Sequence, residues 1–296
     1  MFIDIHVHTR RFPAPPRITS DKVTYASPEE LFEAYDEVGI ECGAVLPGVN
    51  PECSYGVQSV EEVLDLAAQY PRLIPFCNVD PRAMTNSLNA PFEWIFKYYR
   101  DRGCKGVGEV CANMSMLDER VQALFKGAEA AGLPVTFHLS PFVGYAYGLV
   151  VSSGLPELEI TLQRFPKLKI FGHSQTFWAE MGANPNVIER MYNPRGPIEE
   201  EGAVPKLMRK YENLYGDLSA GSGCNALKRD RAYAVKFLNE FQDRLFFGTD
   251  NCQSKGHMFV IRPLAEFLLD LRKTGEISET VFQKVARENA IRVLGL

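Results

Sequence analysis

Apolar runs of strand length alternate with amphipathic runs of helix length from one end of the chain to the other. The first strand lies in "FIDIHVHTRR", residues 2–11, and ends near the second histidine. A two-residue side-chain period puts Asp4, His6 and His8 on one face and Ile3, Ile5 and Val7 on the other. Further strands are read at residues 42–46, in "RLIPFCNVD", "CKGVGEVC", "PVTFHLS", "LKIFGHS", "LYGDLS" and "RLFFGTD". Between them lie helical patterns. One starts at Ser27, with Pro28 in its first turn and Glu30 completing a capping box. Others cover residues 57–69, 91–103, 119–132, 155–166, 204–212 and 233–243, and two more close the chain at 263–273 and 278–294.

Eight strands, each followed by a helix and with no Ser/Gly-rich linker, predict an α/β protein: one (β/α)₈ TIM barrel, a single domain over residues 1–296. The alternative is a doubly wound open sheet, but no GxGxxG or GxxxxGK[ST] follows any strand. The longest connections, about residues 9–26 (Pro-rich, with Pro13, Pro15 and Pro16) and 174–203, follow strands one and six. In a barrel such loops lie on the catalytic face. The apolar loop "PFVGYAYGLVV" after strand five reads either as core or oligomer contact, or as a pocket wall through Tyr145 and Tyr147.

Composition narrows the partners. The net charge of −5 argues against nucleic acid or an anionic membrane as the main partner. No stretch approaches 18 apolar residues, so no spanning helix is expected, and Asp4 and His6 interrupt any signal-peptide pattern. The seven cysteines are odd in number and contain no CxxC pair. Neither a disulfide framework nor a thiolate zinc site is favoured, and a reducing cytoplasm fits best. A small-molecule substrate is the expected partner, and a homo-oligomer is compatible with the chain.

Two of the five histidines stand in the HxH of strand one. They read either as polar residues satisfied by nearby carbonyls or as a metal pair, imidazole being the commonest ligand of transition metals. Four more polar residues end predicted strands: Glu109 on strand four, His138 on five, His173 on six and Asp250 on eight. Strand C-termini are where a barrel enzyme places its chemistry, so the set favours a metal site on that face. His257 alone lies off the pattern, in a loop expected to be exposed.

HxH on strand one, His on strands five and six and Asp on strand eight together resemble the amidohydrolase superfamily of metal-dependent TIM-barrel hydrolases. The closing "ENAIRVLGL" and the "FGTD" of strand eight are similar to its amidohydrolase-related (amidohydrolase 2) branch. That branch includes lactone hydrolases and non-oxidative decarboxylases similar to aminocarboxymuconate-semialdehyde decarboxylase. The resemblance implies His6, His8, His138 and Asp250 as metal ligands and His173 as a ligand or a catalytic neighbour. It implies one or two divalent ions, with Zn²⁺ suited to mixed imidazole and carboxylate donors and Mn²⁺, Fe²⁺ or Co²⁺ as alternatives. Asp250 would orient and deprotonate the attacking water, and His173 would polarise the carbonyl or protonate the leaving group. Glu109 is a further candidate ligand or bridge, its alternative being a salt bridge to Arg82 or Arg10. Lys105, four residues earlier on that strand, is expected near the barrel floor.

Arg10, Arg11, Arg82, Tyr145, Trp178 and Asn251 are the candidates for orienting substrate, and an Arg among them would suit a carboxylate-bearing one. Hydrolysis of an ester, lactone or amide is the leading expectation. Decarboxylation is the alternative, and a barrel that binds metal without catalysis is a third.

Overall fold

The computed structural model describes every residue except 13, 14, 16–22 and 54, so half of the Pro-rich loop, including Pro13 and Pro16, lies outside the described residues. Among the described residues eight parallel strands follow the expected order: β1 (Phe2–Val7), β2 (Ile40–Val45), β3 (Leu73–Pro75), β4 (Val107–Val110), β5 (Val135–Ser140), β6 (Ile170–His173), β7 (Leu214–Asp217) and β8 (Leu245–Phe246). β1 to β3 pair in sequence, as do β4 to β8. Bridges Cys77–Val107 and Val7–Asn251 join the two sets and close the cylinder. A short strand, Leu149–Val150, pairs beside the end of β5. The first helix, Pro28–Val38, starts in the capping box of Ser27 and Glu30 and ends on Gly39 in the left-handed region.

Two apolar layers hold the barrel. Ile3, Ile5, Ala44, Leu46, Ile74, Phe76, Phe171, Tyr215 and Phe246 form an inner cluster, floored by Ala290, Val293 and Leu294 of the last helix. At that floor Lys105 Nζ donates to the Gly295 carbonyl at 2.9 Å, far from the strand C-termini. The larger outer cluster fills the space between strands and helices, and it contains Phe2 and Val7.

This division corrects the even alternation expected for β1. Ile3 and Ile5 face the lumen, whereas Val7 belongs to the outer layer. The pairing register of β1 with β2 slips between Asp4 and Val7. One extra residue in a strand reverses the phase of everything after it. Asp4 therefore points away from the histidines, towards the Tyr35 hydroxyl at 2.7 Å and Thr249 Oγ1 at 2.5 Å.

A second slip, in β4 between Val107 and Val110, accompanies Glu109. Gly108 there has φ +140°, and a Cβ would stand 2.5 Å from the Thr136 carbonyl oxygen. Gly108→Ala is expected to cost about 2 kcal/mol or more, from the unfavourable φ and the backbone clash together. Urea denaturation measures it, and an unchanged midpoint would show that β4 can relax at no cost.

Candidate metal centre

Six of the predicted polar residues meet above the inner apolar cluster, at the C-terminal ends of the strands. His8 Nδ1 donates to the Leu46 carbonyl at 2.8 Å, which leaves its Nε2 facing the centre. His6 Nδ1 shares a 2.7 Å hydrogen bond with Asp217 Oδ2, which turns its Nε2 the same way. The two Nε2 atoms stand 3.2 Å apart. Two imidazole lone pairs repel at that distance, and a shared proton or a cation relieves the repulsion.

Carboxylates ring this pair. Asp250 Oδ1 is 3.6 Å from His6 Nε2 and 3.3 Å from His8 Nε2, and Glu109 Oε2 is 3.7 Å from each. His173 Nε2 lies 3.6 Å from both Glu109 and Asp250, and it is buried without a hydrogen-bond partner among the described residues. Two overlapping groups, His6–His8–Asp250 and His6–Glu109–His173, each have their donor atoms within 4.8 Å of one another. That arrangement fits a divalent ion. Neither group includes His138, whose Nδ1 instead bonds Glu109 Oε1 at 2.8 Å.

The electrostatics point the same way. Burial opposes a charge on His6, yet Asp250 and Asp217 outweigh it and push its pKa well above the ordinary imidazole value. For His173 burial is likewise outweighed, by Asp217 first, and the pKa rises to about 9. Burial would raise Glu109, but the His138 hydrogen bond and charge, then His6, hold it well below the carboxylate range. Asp250 is held down against burial by His6, His173 and His8. The cluster thus draws positive charge onto its imidazoles, and a divalent cation answers the same demand.

The substrate-orienting candidates divide. Tyr145 is fully exposed and lines a cavity of about 210 Å³ beside the centre. Tyr147 lines both that cavity and a pocket of about 40 Å³ containing His8, Glu109 and Asp250, with its ring 4.4 Å from that of His138. Three assignments need correction. Trp178 is buried in the outer layer, its Nε1 donating to the Asp217 carbonyl at 2.9 Å, because the short helix Gln175–Ala179 turns it back onto the sheet. Arg82 is held by Asp80 and Glu52 at 2.7 and 2.8 Å. Asn251 is buried in the β1 junction, Nδ2 donating to the Gln253 carbonyl.

Arg10 donates to the Gly56 carbonyl at 2.6 Å and covers the Tyr25 ring, and Arg11 pairs with Asp65. Glu109 therefore meets imidazoles where a salt bridge to arginine was the alternative. His257 is exposed, as expected.

Asp217 was missed. It ends β7 in "LYGDLS", fully buried, with Oδ2 also 3.3 Å from His173 Nδ1. Its signal is the one that marked the others, a polar residue closing an apolar strand.

Solved structures share this fold along their whole length. A TIM-barrel protein of Bordetella bronchiseptica has a TM-score of 0.65 at 20% identity, covering 99% of this chain and 98% of its own. A probable 2-pyrone-4,6-dicarboxylic acid hydrolase of Acinetobacter baumannii has 0.57 at 15%, covering 100% and 99%. The 5-carboxyvanillate decarboxylase of Novosphingobium aromaticivorans, complexed with manganese and a nitrobenzoic acid, has 0.62 at 14%, covering 100% and 96%. No curated protein matches the chain in sequence. The amidohydrolase family model (Amidohydro_2) matches residues 3–296, and the chain belongs to that family.

Proposed function

We propose that the protein is a metal-dependent hydrolase of an ester, lactone or amide bond in a small molecule. The observation that carries this reading is Glu109, which adds a second carboxylate to Asp250 around the His6–His8 pair. His6, His8, Asp250, Glu109 and His173 would hold the ion, Zn²⁺ being the first candidate for these donors and Mn²⁺, Fe²⁺ or Co²⁺ the others. His6 belongs to both donor groups but has one free nitrogen, so the groups are alternative seats for one ion, and a second ion would need donors other than His6. When bound, such an ion acts as a Lewis acid and lowers the pKa of water towards about 7.

The chain supplies the proton handling. Asp250 has a partly exposed carboxylate at the pocket wall, placed to accept the proton of an attacking water. With the ion held by His6, His8 and Asp250, His173 Nε2 stays free 3.6 Å from Asp250 Oδ2 and would pass that proton to the leaving group. Tyr145 and Tyr147 line the adjoining cavity and would bound the substrate. A small-molecule partner fits the size of that space.

A second reading, non-oxidative decarboxylation, draws support from the Tyr147 ring against His138, a flat wall suited to an aromatic acid. Elemental analysis of protein purified without chelator comes first. The metal-loaded enzyme is then assayed on lactone, amide and aromatic-acid panels with carbon dioxide release followed. Metal-dependent cleavage of a lactone or amide is expected. Carbon dioxide release alone would replace hydrolysis by the second reading, and absence of both metal and turnover would sink both.

A further inference from the structure

We infer that Asp217 is a positioning residue that locks two histidine rings at once, so that the Nε2 atoms of His6 and His173 both face the pocket. One carboxylate oxygen, Oδ2, hydrogen-bonds His6 Nδ1 at 2.7 Å and stands in ion-pair contact with His173 Nδ1 at 3.3 Å. The other, Oδ1, accepts from the Ser219 backbone N–H at 3.0 Å, which anchors the carboxylate. All three side chains are fully buried at the centre of the molecule.

The chemistry of the acceptor decides the orientation. A carboxylate can only accept, so each ring must present an N–H at Nδ1. The proton-free edge of each neutral ring is then Nε2, which faces Glu109 and Asp250. The rings of His6 and His173 lie only 4.5 Å apart between centroids, so one anion suffices for both. Ser219 Oγ touches the same nitrogens at 3.4 and 3.1 Å. A hydroxyl can donate as well as accept, and it imposes no such choice. His6 belongs to both candidate donor groups and His173 to one. A single residue outside both groups thus orients donors in each.

This inference rests on the metal reading for its consequence but not for its geometry. Outer hydrogen-bond partners of ligating histidines typically change metal affinity 10–100-fold. Asp217→Asn is expected to weaken binding of Mn²⁺ and Zn²⁺ by about that factor in chelator competition, whereas Ser219→Ala should stay close to the parent protein. Metal-free protein labelled with ¹⁵N-histidine supplies the second readout. His8 and His138 also hold their Nδ1 atoms in hydrogen bonds, so the signals are assigned residue by residue. The parent chain should show slowly exchanging downfield Nδ1–H protons for both His6 and His173. Asp217→Asn should lose or move upfield those two while leaving the His8 and His138 signals in place.

Unchanged signals or unchanged affinity in Asp217→Asn would overturn the proposal, as would an equal loss in Ser219→Ala. If Asp217→Asn does not fold, the parent spectrum decides, and absence of the Nδ1–H signals assigned to His6 and His173 is fatal. Those two signals in a parent protein that binds neither metal would instead sink the metal reading and leave the ring lock standing.

Discussion

Asp250→Asn is expected to lower turnover by about 10²–10⁴-fold, the range for losing a positioned proton acceptor. Three features single Asp250 out. Its carboxylate reaches His6, His8 and His173 within 3.6 Å. It is the more exposed of the two carboxylates lining the small pocket, with 23% of its side chain accessible against 8% for Glu109. Its backbone is pinned, the N–H donating to the His6 carbonyl at 2.7 Å with φ at +53°. Asn preserves that backbone and the side-chain size while removing the anion. Turnover is measured at saturating metal on whichever substrate of the panels reacts, with metal content determined on the same sample. A loss that disappears at saturating metal would make Asp250 a ligand without a role in proton transfer. Turnover within tenfold of the parent at parental metal content would remove it from the chemistry.

Glu109→Gln separates the two reactions as well as the roles of the residue. Glu109 is 6% exposed, and its oxygens meet four imidazoles: His138 at 2.8 Å, His173 at 3.6 Å, and His6 and His8 at 3.7 Å. Gln can still accept from His138 but carries no charge. Leaving these imidazoles without their anion is expected to reduce affinity for Zn²⁺ or Mn²⁺ by about 10–100-fold, with turnover falling in parallel. Equilibrium dialysis of the variant against each metal gives the first quantity and the substrate assay the second. Unchanged affinity and unchanged turnover would make Glu109 structural. That result would also remove the main support for hydrolysis over decarboxylation, since Glu109 is what adds a second carboxylate to the centre.

Much of this protein was legible along the chain because barrels are built from local patterns. Strand-length apolar runs, the Ser27–Glu30 capping box and the polar closings at Glu109, His138, His173 and Asp250 are all properties of short segments. Each segment folds as it reads because its burial pattern and its turn chemistry agree. Meeting at one mouth is then a consequence of eight parallel strands ending on the same side. The same logic placed Lys105 near the floor, where its Nζ reaches the Gly295 carbonyl.

What only the tertiary structure decided depends on phase and on partners from distant strands. Strict alternation along "FIDIHVHTRR" puts Asp4 with the histidines. The slip between Asp4 and Val7 sends Asp4 to Tyr35 and keeps His6 and His8 at the pocket, and a single strand cannot announce a bulge that its neighbour's register imposes. Residue type marked Trp178 for substrate, yet the turn after β6 lays it against the sheet. His138 and His173 look alike as strand endings. Their difference comes from which nitrogen is already taken: Glu109 occupies His138 Nδ1, while Asp217 and Ser219 occupy His173 Nδ1 and leave Nε2 bare. A histidine's identity is written in the sequence, but the nitrogen it offers is set by the hydrogen bond its other nitrogen makes across the barrel.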